Sequence, residues 1–422
     1  MAGVWIIIFE GNNTRFGGYI YMRSWVLATY IFSEALFFGV LAVFSVSYDA
    51  DSTIHMLYNT AFAVLIIVIL LLVIINKLFK KDSKIHIEKF CMVLLLITLL
   101  IATVYGFYRF DQSEVSSKIL RYVFGLTVPA IFLALCIDDG DRKFFEKIKY
   151  INIFVTVSFG IPILEGYIKL GSFTDVMGTT HLLIGYTMSS LYAYNLLNLI
   201  NSKKIFKKII YIGLIIINIA MIIFSGSRGS FACITVISMV MIWSYRKRIS
   251  FLKVLATLSL VSAFIYVLIS KANDSFALQR MLMVFSSDLG ISTSGRDIFY
   301  KKAIDTFLNS PIFGNGIGAY ANIFGIYVYP HNIILEILND FGILGLIVFL
   351  VFIIKAFKNL AKMLKQDKNE QIIALLFLNS ITMLLFSSSY LVNAQFWMSF
   401  VLVYTYHNKL NVDIENFKSL NK

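Results

Sequence analysis

The side chains that could carry out chemistry gather in residues 271–331, one polar stretch in an otherwise apolar chain. Arg296 follows a serine and a glycine there, and His331 closes the stretch. A histidine can accept a proton from an attacking hydroxyl near neutral pH. An arginine guanidinium can bind a phosphate through two parallel hydrogen bonds. We therefore predict that this stretch combines anion binding with proton transfer; the alternative is a solvated loop charge and an inert interfacial histidine.

A second arginine, Arg228, lies between Gly226 and Gly229 at the junction of two apolar segments. Glycines let a ligand approach the backbone, and the start of a helix near residue 229 would add N–H groups and a favourable dipole. We predict that Arg228 captures an anion and that Arg296 could supply the second cation for a diphosphate. The alternative is an arginine that contacts lipid head groups.

Further polar residues near the predicted outer ends of membrane spans could complete the site. Glu336 follows His331 by about one helical turn and could assist its proton transfer. The side chains that could bind substrate or line the site are Arg280, His181, Asn332, Asn393 and Gln395. Arg280 could equally be a lipid or surface contact.

Two carboxylates, Glu34 and Glu165, lie inside predicted spans, where ionisable residues are often functional. Either could instead pair with a basic residue in the bundle, so no role is assigned to them.

The sequence predicts neither a metal site nor a cofactor. The five histidines are scattered without ligand spacing, and the Asp49-x-Asp51 pair is more typical of a surface turn. No Gly-Lys-Ser/Thr phosphate loop is found, which argues against nucleotide use. Cys91, Cys136 and Cys233 lie in apolar segments and are predicted to be packing residues.

These residues must be positioned by a bundle of membrane helices. The chain has 422 residues, of which 59% are hydrophobic and 14% charged, and the mean hydropathy is +0.79. A soluble fold could not bury so much apolar surface. We predict an all-α polytopic protein, residues 1–422 forming one membrane domain, with no cleavable signal sequence. The twelve candidate spans are 25–47, 57–78, 90–108, 119–137, 150–169, 181–200, 208–224, 229–245, 254–270, 333–354, 371–388 and 391–407.

The net charge of +13 reports topology rather than nucleic-acid binding. With a cytoplasmic N terminus, most Lys and Arg fall in cytoplasmic segments, as the positive-inside rule requires. Both termini are then predicted to be cytoplasmic, and residues 271–331 form a large extracytoplasmic loop. Within it, residues 297–309 are predicted to form an amphipathic helix that begins after an N-cap at Ser294 and ends before Pro311. Its apolar stripe consists of Tyr300, Ala303, Ile304, Phe307 and Leu308.

An ordered set of short motifs spans residues 224–346. The set comprises Phe224-Ser225-Gly226-Ser227-Arg228-Gly229-Ser230, Ser294-Gly295-Arg296, Ser310-Pro311-Ile312-Phe313-Gly314-Asn315-Gly316, His331-Asn332 with Leu335-Glu336, and Phe341-Gly342-Ile343-Leu344-Gly345-Leu346. In order and loop position the chain resembles the O-antigen ligase/polymerase superfamily of bacterial membrane glycosyltransferases. It departs from that pattern at Gly178-Thr179-Thr180-His181, where relatives carry a Gly-Asn-Pro-like run.

The resemblance implies a GT-C-like helical bundle in the bacterial cytoplasmic (inner) membrane. It implies a metal-independent transferase whose donor is a glycan on undecaprenyl diphosphate and whose important positions are Arg228, Arg296 and His331. The acceptor would be a second lipid-linked repeat unit in a polymerase of O-antigen or capsule, or the lipid A–core in a ligase. The predicted partners are these lipid-linked oligosaccharides, membrane lipids and a chain-length regulator protein, with no nucleic acid.

Three functions remain open at this point. The motifs suit a polymerase and a ligase equally, and the scarcity of features beyond the motifs slightly favours the polymerase. A flippase for the same lipid-linked glycan is the alternative of another class. It would be expected to show inverted repeats and several midplane charges, whereas only Glu34 is clearly mid-span and no repeat is found.

Overall fold

The computed structural model describes residues 25, 28–44, 64, 87–109, 113–136, 145–164, 181–246 and 296–406. All regular structure in these ranges is helical. In chain order the helices are α1 (Ser33–Val43), α2 (Ile87–Arg109), α3 (Ser113–Tyr122), α4 (Val128–Cys136), α5 (Phe145–Leu164), α6 (His181–Asn201), α7 (Ile205–Phe224), α8 (Arg228–Tyr245), α9 (Arg296–Leu308), α10 (Ala319–Phe324), α11 (Ile333–Met363), α12 (Lys368–Phe386) and α13 (Ala394–Tyr404), and a π-helical segment (Val123–Thr127) joins α3 to α4.

Six helical segments in the described ranges are long and apolar enough to cross a membrane, so the protein is an all-helical, multi-pass membrane protein. These are Ile87–Phe107, Glu114–Cys136, Ile205–Phe224, Arg228–Tyr245, Ile333–Met363 and Lys368–Phe386. Helices α1 and α13 are apolar but only 11 residues each. The predicted total of twelve spans and the extracytoplasmic placement of the loop stay predictions.

One end of the bundle is joined by polar contacts between segments that the sequence places in the cytoplasm. Lys355 of α11 forms an ion pair with Glu88 of α2 at 3.1 Å. The Tyr245 hydroxyl of α8 donates to Gln371 Oε1 of α12 at 2.7 Å and accepts from Asn201 Nδ2 of α6 at 3.2 Å. These helix ends therefore share one side of the bundle, as the predicted alternation of spans requires.

The opposite end holds the predicted site. The rings of Tyr122 and Tyr327 lie 4.9 Å apart, which brings α3 beside the segment before α11. Phe299 of α9 lies 5.6 Å from the His331 ring. Segments predicted to be extracytoplasmic therefore also meet at one end; which end faces the cytoplasm stays a prediction.

The glycine-rich segment 310–318 is built into a break in α11. The break is at Gly342, whose φ of 65° lies in the left-handed region that favours glycine. Backbone N–H groups that the break leaves free are satisfied by the segment, since Ile343 N donates to Pro311 O at 2.9 Å. In return, Asn315 N donates to Asn339 O at 2.7 Å. Two of the motifs thus form one unit.

The break also divides α11 into two unequal parts. Residues 343–363 rise roughly 30 Å along a helix axis, about the thickness of the hydrocarbon core. The part before Gly342, which carries Glu336, is therefore available to build the mouth of the bundle rather than to cross the membrane.

A network of amides holds the centre of the bundle and positions α6. Asn195 of α6 accepts from Asn152 Nδ2 of α5 at 2.7 Å and donates to Asn218 Oδ1 of α7 at 2.8 Å. Six residues earlier on α6, Ser189 donates to Asn379 Oδ1 of α12 at 2.8 Å. Such bonds fix helix register where apolar packing alone would permit rotation.

The loop helix is confirmed almost to the residue, since 297–309 was predicted and α9 covers Arg296–Leu308. Its packed face differs from the predicted stripe, however. Ala303 and Thr306 are the buried residues, whereas Ile304 and Leu308 are exposed. Thr306 O accepts from Asn315 Nδ2 at 2.7 Å, so the face that carries Thr306 contacts the 310–318 segment.

Candidate active site

The Arg228 motif forms a tight turn between α7 and α8. Gly226 makes the turn with a φ of 63°. Ser227 caps α8 by accepting from Ser230 N at 3.3 Å, so Arg228 is the first residue of the helix. Gly185 of α6 gives the turn its room, because a Cβ at Gly185 would lie 2.5 Å from Ser230 Oγ. The predicted helix start next to Arg228 is therefore present.

Gly229 faces a side chain rather than open space. A Cβ at this position would collide with the Tyr186 hydroxyl of α6 and lie 3.2 Å from Phe386 Cβ. The Tyr186 hydroxyl is buried and makes no hydrogen bond within the described ranges. Ligand binding at Gly226 and Gly229 stays a prediction, and the observed role of Gly229 is to leave room for Tyr186 beside the start of α8.

His331 has the environment of a neutral imidazole. Its ring lies 4.5 Å from the Tyr329 ring and 5.6 Å from that of Phe299. Burial lowers the pKa of His331, the positive charge of Arg296 lowers it further, and the adjacent backbone of Ser387 acts in the opposite direction. Nδ1 is buried without a hydrogen-bonding partner in the part of the chain that the structure describes.

Arg296 and His331 are therefore neighbours, although 35 residues separate them. Arg296 begins α9, and its charge also acts on the hydroxyls of Tyr186 and Tyr329. Because Tyr186 contacts Gly229, one tyrosine links the start of α8, next to Arg228, to Arg296 at the start of α9. Two of the three predicted central residues are therefore close enough for the charge of Arg296 to act on His331, and Tyr186 lies between Arg296 and the start of α8.

The hydrogen bonds of Glu336 are made to the α12–α13 connection, and its assistance to His331 stays a prediction. It was expected to assist His331, but the Ser389 hydroxyl donates to its Oε1 and the Tyr390 N–H donates to its Oε2 at 3.3 Å. The side chain is buried, with 5% of its surface exposed. Both oxygens of Glu336 thus face the α12–α13 connection, and the charge that acts on His331 is that of Arg296.

A second carboxyl, Asp340, lies one turn after Glu336 and was missed. The Tyr390 hydroxyl donates to Asp340 Oδ2 at 2.6 Å. Burial raises the pKa of Tyr390 well above its usual range, and the charges of Asp340 and Glu336 raise it further, so the phenol remains a donor. The i, i+4 spacing of the two acids was visible in the sequence and would have placed both on one helix face.

The residues that organise this part of the site belong to the serine turn (residues 387–390), which connects α12 to α13. Ser387 O accepts from Tyr329 Oη at 3.4 Å. Ser389 binds Glu336 and accepts from Tyr327 Oη at 3.2 Å. The serine turn therefore contacts both the segment that carries His331 and the acidic face of α11.

A polar cavity of about 250 Å³ opens beside the serine turn. Its walls come from α1, α6, α12 and α13. Hydroxyl, amide and carboxyl side chains line much of it, including Glu34, Tyr186, Tyr329, Ser388, Asn393 and Gln395. Asn393 and Gln395, which were predicted to line a site, line this cavity. Glu34, to which the sequence assigned no role, lines it as well. Their roles in binding stay predictions.

The remaining predicted binding residues are placed as follows. Asn332 caps α11, because its Oδ1 accepts from Ile334 N at 2.9 Å while its Nδ2 donates to Leu385 O at 3.2 Å. His181 is the first residue of α6. Arg280, Glu165 and Ser294 lie outside the described residues.

Comparison with protein families identifies residues 213–350 as a match to the family described as O-antigen ligase. This match supports the resemblance of the chain to the O-antigen ligase/polymerase superfamily. The comparison with curated proteins gave no match.

The O-antigen ligase match runs from within α7 to within α11 and contains Arg228, Arg296, His331 and Glu336. The serine turn and the helices α6, α12 and α13 lie outside it. The O-antigen ligase segment therefore supplies the charged residues, and the parts of the chain around it supply most of the polar cavity.

Proposed function

We propose that this protein is a glycosyltransferase that polymerises undecaprenyl-diphosphate-linked oligosaccharide repeat units into O-antigen or capsular polysaccharide. The family match over residues 213–350 supports a ligase or polymerase activity on lipid-linked oligosaccharides. The observation that carries the proposal is the nearby positive charge of Arg296 at a half-buried His331, whose buried Nδ1 is unpartnered within the described ranges.

In the proposed reaction, a hydroxyl of the acceptor sugar attacks the anomeric carbon of the donor. The new C–O bond forms as the bond from that carbon to the diphosphate oxygen breaks, and the electron pair leaves with the diphosphate. Arg228 and Arg296 stabilise the charge that develops there, which is the usual role of preorganised cations in such transfers. His331 accepts the hydroxyl proton. The reaction balances without a metal or a cofactor.

The environment of His331 suits a general base. A neutral imidazole is needed to accept a proton, and both burial and the nearby guanidinium favour that form. The same guanidinium is available to a diphosphate, so one cation serves both the leaving group and the base. Glu336 acts from further away, by holding the serine turn against α11.

The polar cavity is the proposed site for sugar groups. Its hydroxyl and amide side chains match the hydrogen-bonding groups of a sugar, and Tyr186 and Tyr329 connect it to Arg296. In this proposal the glycan reaches the bundle from the extracytoplasmic side of the bacterial inner membrane. A chain-length regulator would act on the same face.

The ligase remains the second candidate, because the superfamily match covers both activities. A flippase is the candidate of another class. Purified protein in liposomes separates the three. A ladder of products from lipid-linked repeat units alone supports the polymerase, and transfer that requires lipid A–core supports the ligase. Movement of the lipid-linked glycan across the bilayer without any transfer would overturn the glycosyltransferase proposal.

A deletion strain gives an independent test. Glycans of a single repeat support the polymerase. Polymer that accumulates on the carrier lipid supports the ligase instead, and substrate trapped on the cytoplasmic face supports the flippase.

A further inference from the structure

The hydroxyl of Tyr186 on α6 is a buried polar group that the protein itself leaves unsatisfied. Only 4% of the Tyr186 surface is exposed, and the hydroxyl makes no hydrogen bond within the described ranges. The Ser387 hydroxyl is close enough to act on Tyr186, but the two form no hydrogen bond. A buried hydroxyl without a partner lowers stability. Its presence is explained if the partner is a ligand that binds from outside the chain.

The packing of α6 against the turn between α7 and α8 holds this hydroxyl in position. Gly185 lets the turn approach closely, since a Cβ there would lie 2.8 Å from Ser227 Cβ and 2.9 Å from Ser225 Oγ. Gly229 then leaves room for the Tyr186 phenol at the start of α8. The hydroxyl is therefore placed by tight backbone packing before any ligand arrives.

The surroundings of Tyr186 favour a ligand that carries both an anion and sugar groups. Tyr186 lines the polar cavity, and it contacts Gly229, the residue after Arg228 at the start of α8. The positive charge of Arg296 also acts on its hydroxyl. A helix start and a nearby cation favour a negative charge, and a phenol keeps its proton at neutral pH and can donate it in a hydrogen bond.

We propose that the Tyr186 hydroxyl donates a hydrogen bond to a phosphate oxygen of the lipid-linked donor, where the diphosphate joins the first sugar. The inference rests on the proposed function, and it adds a neutral donor to the two arginines. Tyr186 contacts both the polar cavity and the start of α8, so it suits the junction between sugar and phosphate. As the glycosyl bond breaks, negative charge grows on the phosphate oxygen and the hydrogen bond strengthens.

The test is Tyr186→Phe, which removes the hydroxyl and keeps the ring. Because no hydrogen bond within the protein is lost, the thermal midpoint should stay the same or rise. The value of kcat should nevertheless fall about 10–100-fold, the range expected for a hydrogen bond to a charged group. A lower midpoint with an unchanged kcat would show that the hydroxyl serves the fold alone, and would overturn the proposal.

Tyr192→Phe is the matched control on the same helix. Tyr192 is also buried, with 8% of its surface exposed, but its hydroxyl is hydrogen-bonded to Ser238 Oγ at 2.7 Å. It is not among the residues that line the polar cavity. Tyr192→Phe should therefore lower the thermal midpoint and leave kcat unchanged, the reverse of Tyr186→Phe. The same pattern of effects in both variants would contradict the assignment.

A short-chain polyprenyl methylenebisphosphonate, a diphosphate analogue without a sugar, tests whether the hydroxyl meets phosphate. Tyr186→Phe should bind this probe several-fold more weakly than the native protein, and Tyr192→Phe should bind it equally well. Unchanged affinity for the probe, together with a raised KM for the glycan-bearing donor, would assign the hydroxyl to a sugar and overturn the proposal.

Gly229→Ala approaches the same contact from the other side. The added methyl would collide with the Tyr186 hydroxyl and should displace it, so transfer should slow. In the Tyr186→Phe background the same substitution should cost less, because the displaced group is already absent. Equal losses in both backgrounds would contradict the proposed role of the hydroxyl.

Binding of the probe does not require turnover, so the two proposals fail separately. Normal affinity and normal transfer in Tyr186→Phe would refute the role of the hydroxyl alone. Weaker binding in Tyr186→Phe, with no transfer even by the native protein, would refute the glycosyltransferase alone.

Discussion

The Ser389 hydroxyl donates a hydrogen bond to the carboxyl group of Glu336, and this contact fastens the α12–α13 connection to the first part of α11. Ser389 also accepts from Tyr327 Oη at 3.2 Å and from Leu391 N at 3.1 Å. One small side chain therefore links the segment before His331, the acidic face of α11 and the wall of the polar cavity.

Replacing this serine should loosen the site. In Ser389→Ala, Glu336 loses a donor in a buried position, which typically costs about 1–3 kcal/mol. We expect a lower thermal midpoint in detergent and a slower transfer. Ser399→Ala is the control, because Ser399 is also buried but bonds only to carbonyls of its own helix. Equal effects of the two substitutions would remove Ser389 from its proposed positioning role.

The break at Gly342 should tolerate no side chain. A Cβ there would overlap the backbone of Ile312, and a φ of 65° is unfavourable for alanine by about 1–3 kcal/mol. Gly342→Ala should therefore lower stability and displace the 310–318 segment. Gly213→Ala on α7 meets nothing within 4 Å and should be neutral or stabilising by up to about 1 kcal/mol. The measurement is thermal unfolding of both variants. Similar midpoints would contradict the conclusion that the 310–318 segment packs directly against the backbone at Gly342.

Arg228 should be required for the transfer but not for folding. Arg228→Ala removes a cation from the leaving diphosphate, and loss of one well-aligned group of this kind costs roughly 10²–10³-fold in rate. Glycan chain growth should nearly stop while the protein still inserts. Arg246→Ala is the matched control at the other end of α8, where Arg246 lies 5.5 Å from the Trp243 ring. Unchanged glycan length in Arg228→Ala at a normal protein level would defeat the assignment.

Much of this architecture was predictable because it follows from local chemistry. The start of α8 after Gly226, the start of α11 after Asn332 and the bounds of α9 all depend on caps, turns and apolar runs that neighbouring residues specify. The motif set also indicated the family whose model matches residues 213–350. These features need no knowledge of how distant segments pack.

The partners of the site residues were not predictable, because they depend on how distant segments of the chain pack together. Glu336 meets Ser389 across 53 positions of sequence, and uniformly apolar helices carry no periodic signal for which faces meet. The packed face of α9 was predicted only in part, since Ala303 is buried as expected but Thr306, whose carbonyl accepts from Asn315, is buried while Ile304 is exposed. Asp340 was overlooked because its role depends on Tyr390, which only the folded chain brings close.

The pH dependence of the reaction should report the effect of the Arg296 charge on His331. As a general base, His331 must be neutral, so the rate falls when the pH drops through its pKa. Burial and the Arg296 charge both lower that pKa from its usual value of about 6.5. In the native protein the acid limb of kcat/KM should therefore lie below that value.

Arg296→Gln removes the positive charge, which raises the pKa of His331 and moves the acid limb to higher pH. Arg296→Lys keeps the charge and should leave the limb closer to its native position. Because the position of the limb is independent of the absolute rate, both variants remain informative even if they are slow. A limb that stays in place in Arg296→Gln would show that the guanidinium does not act on the base.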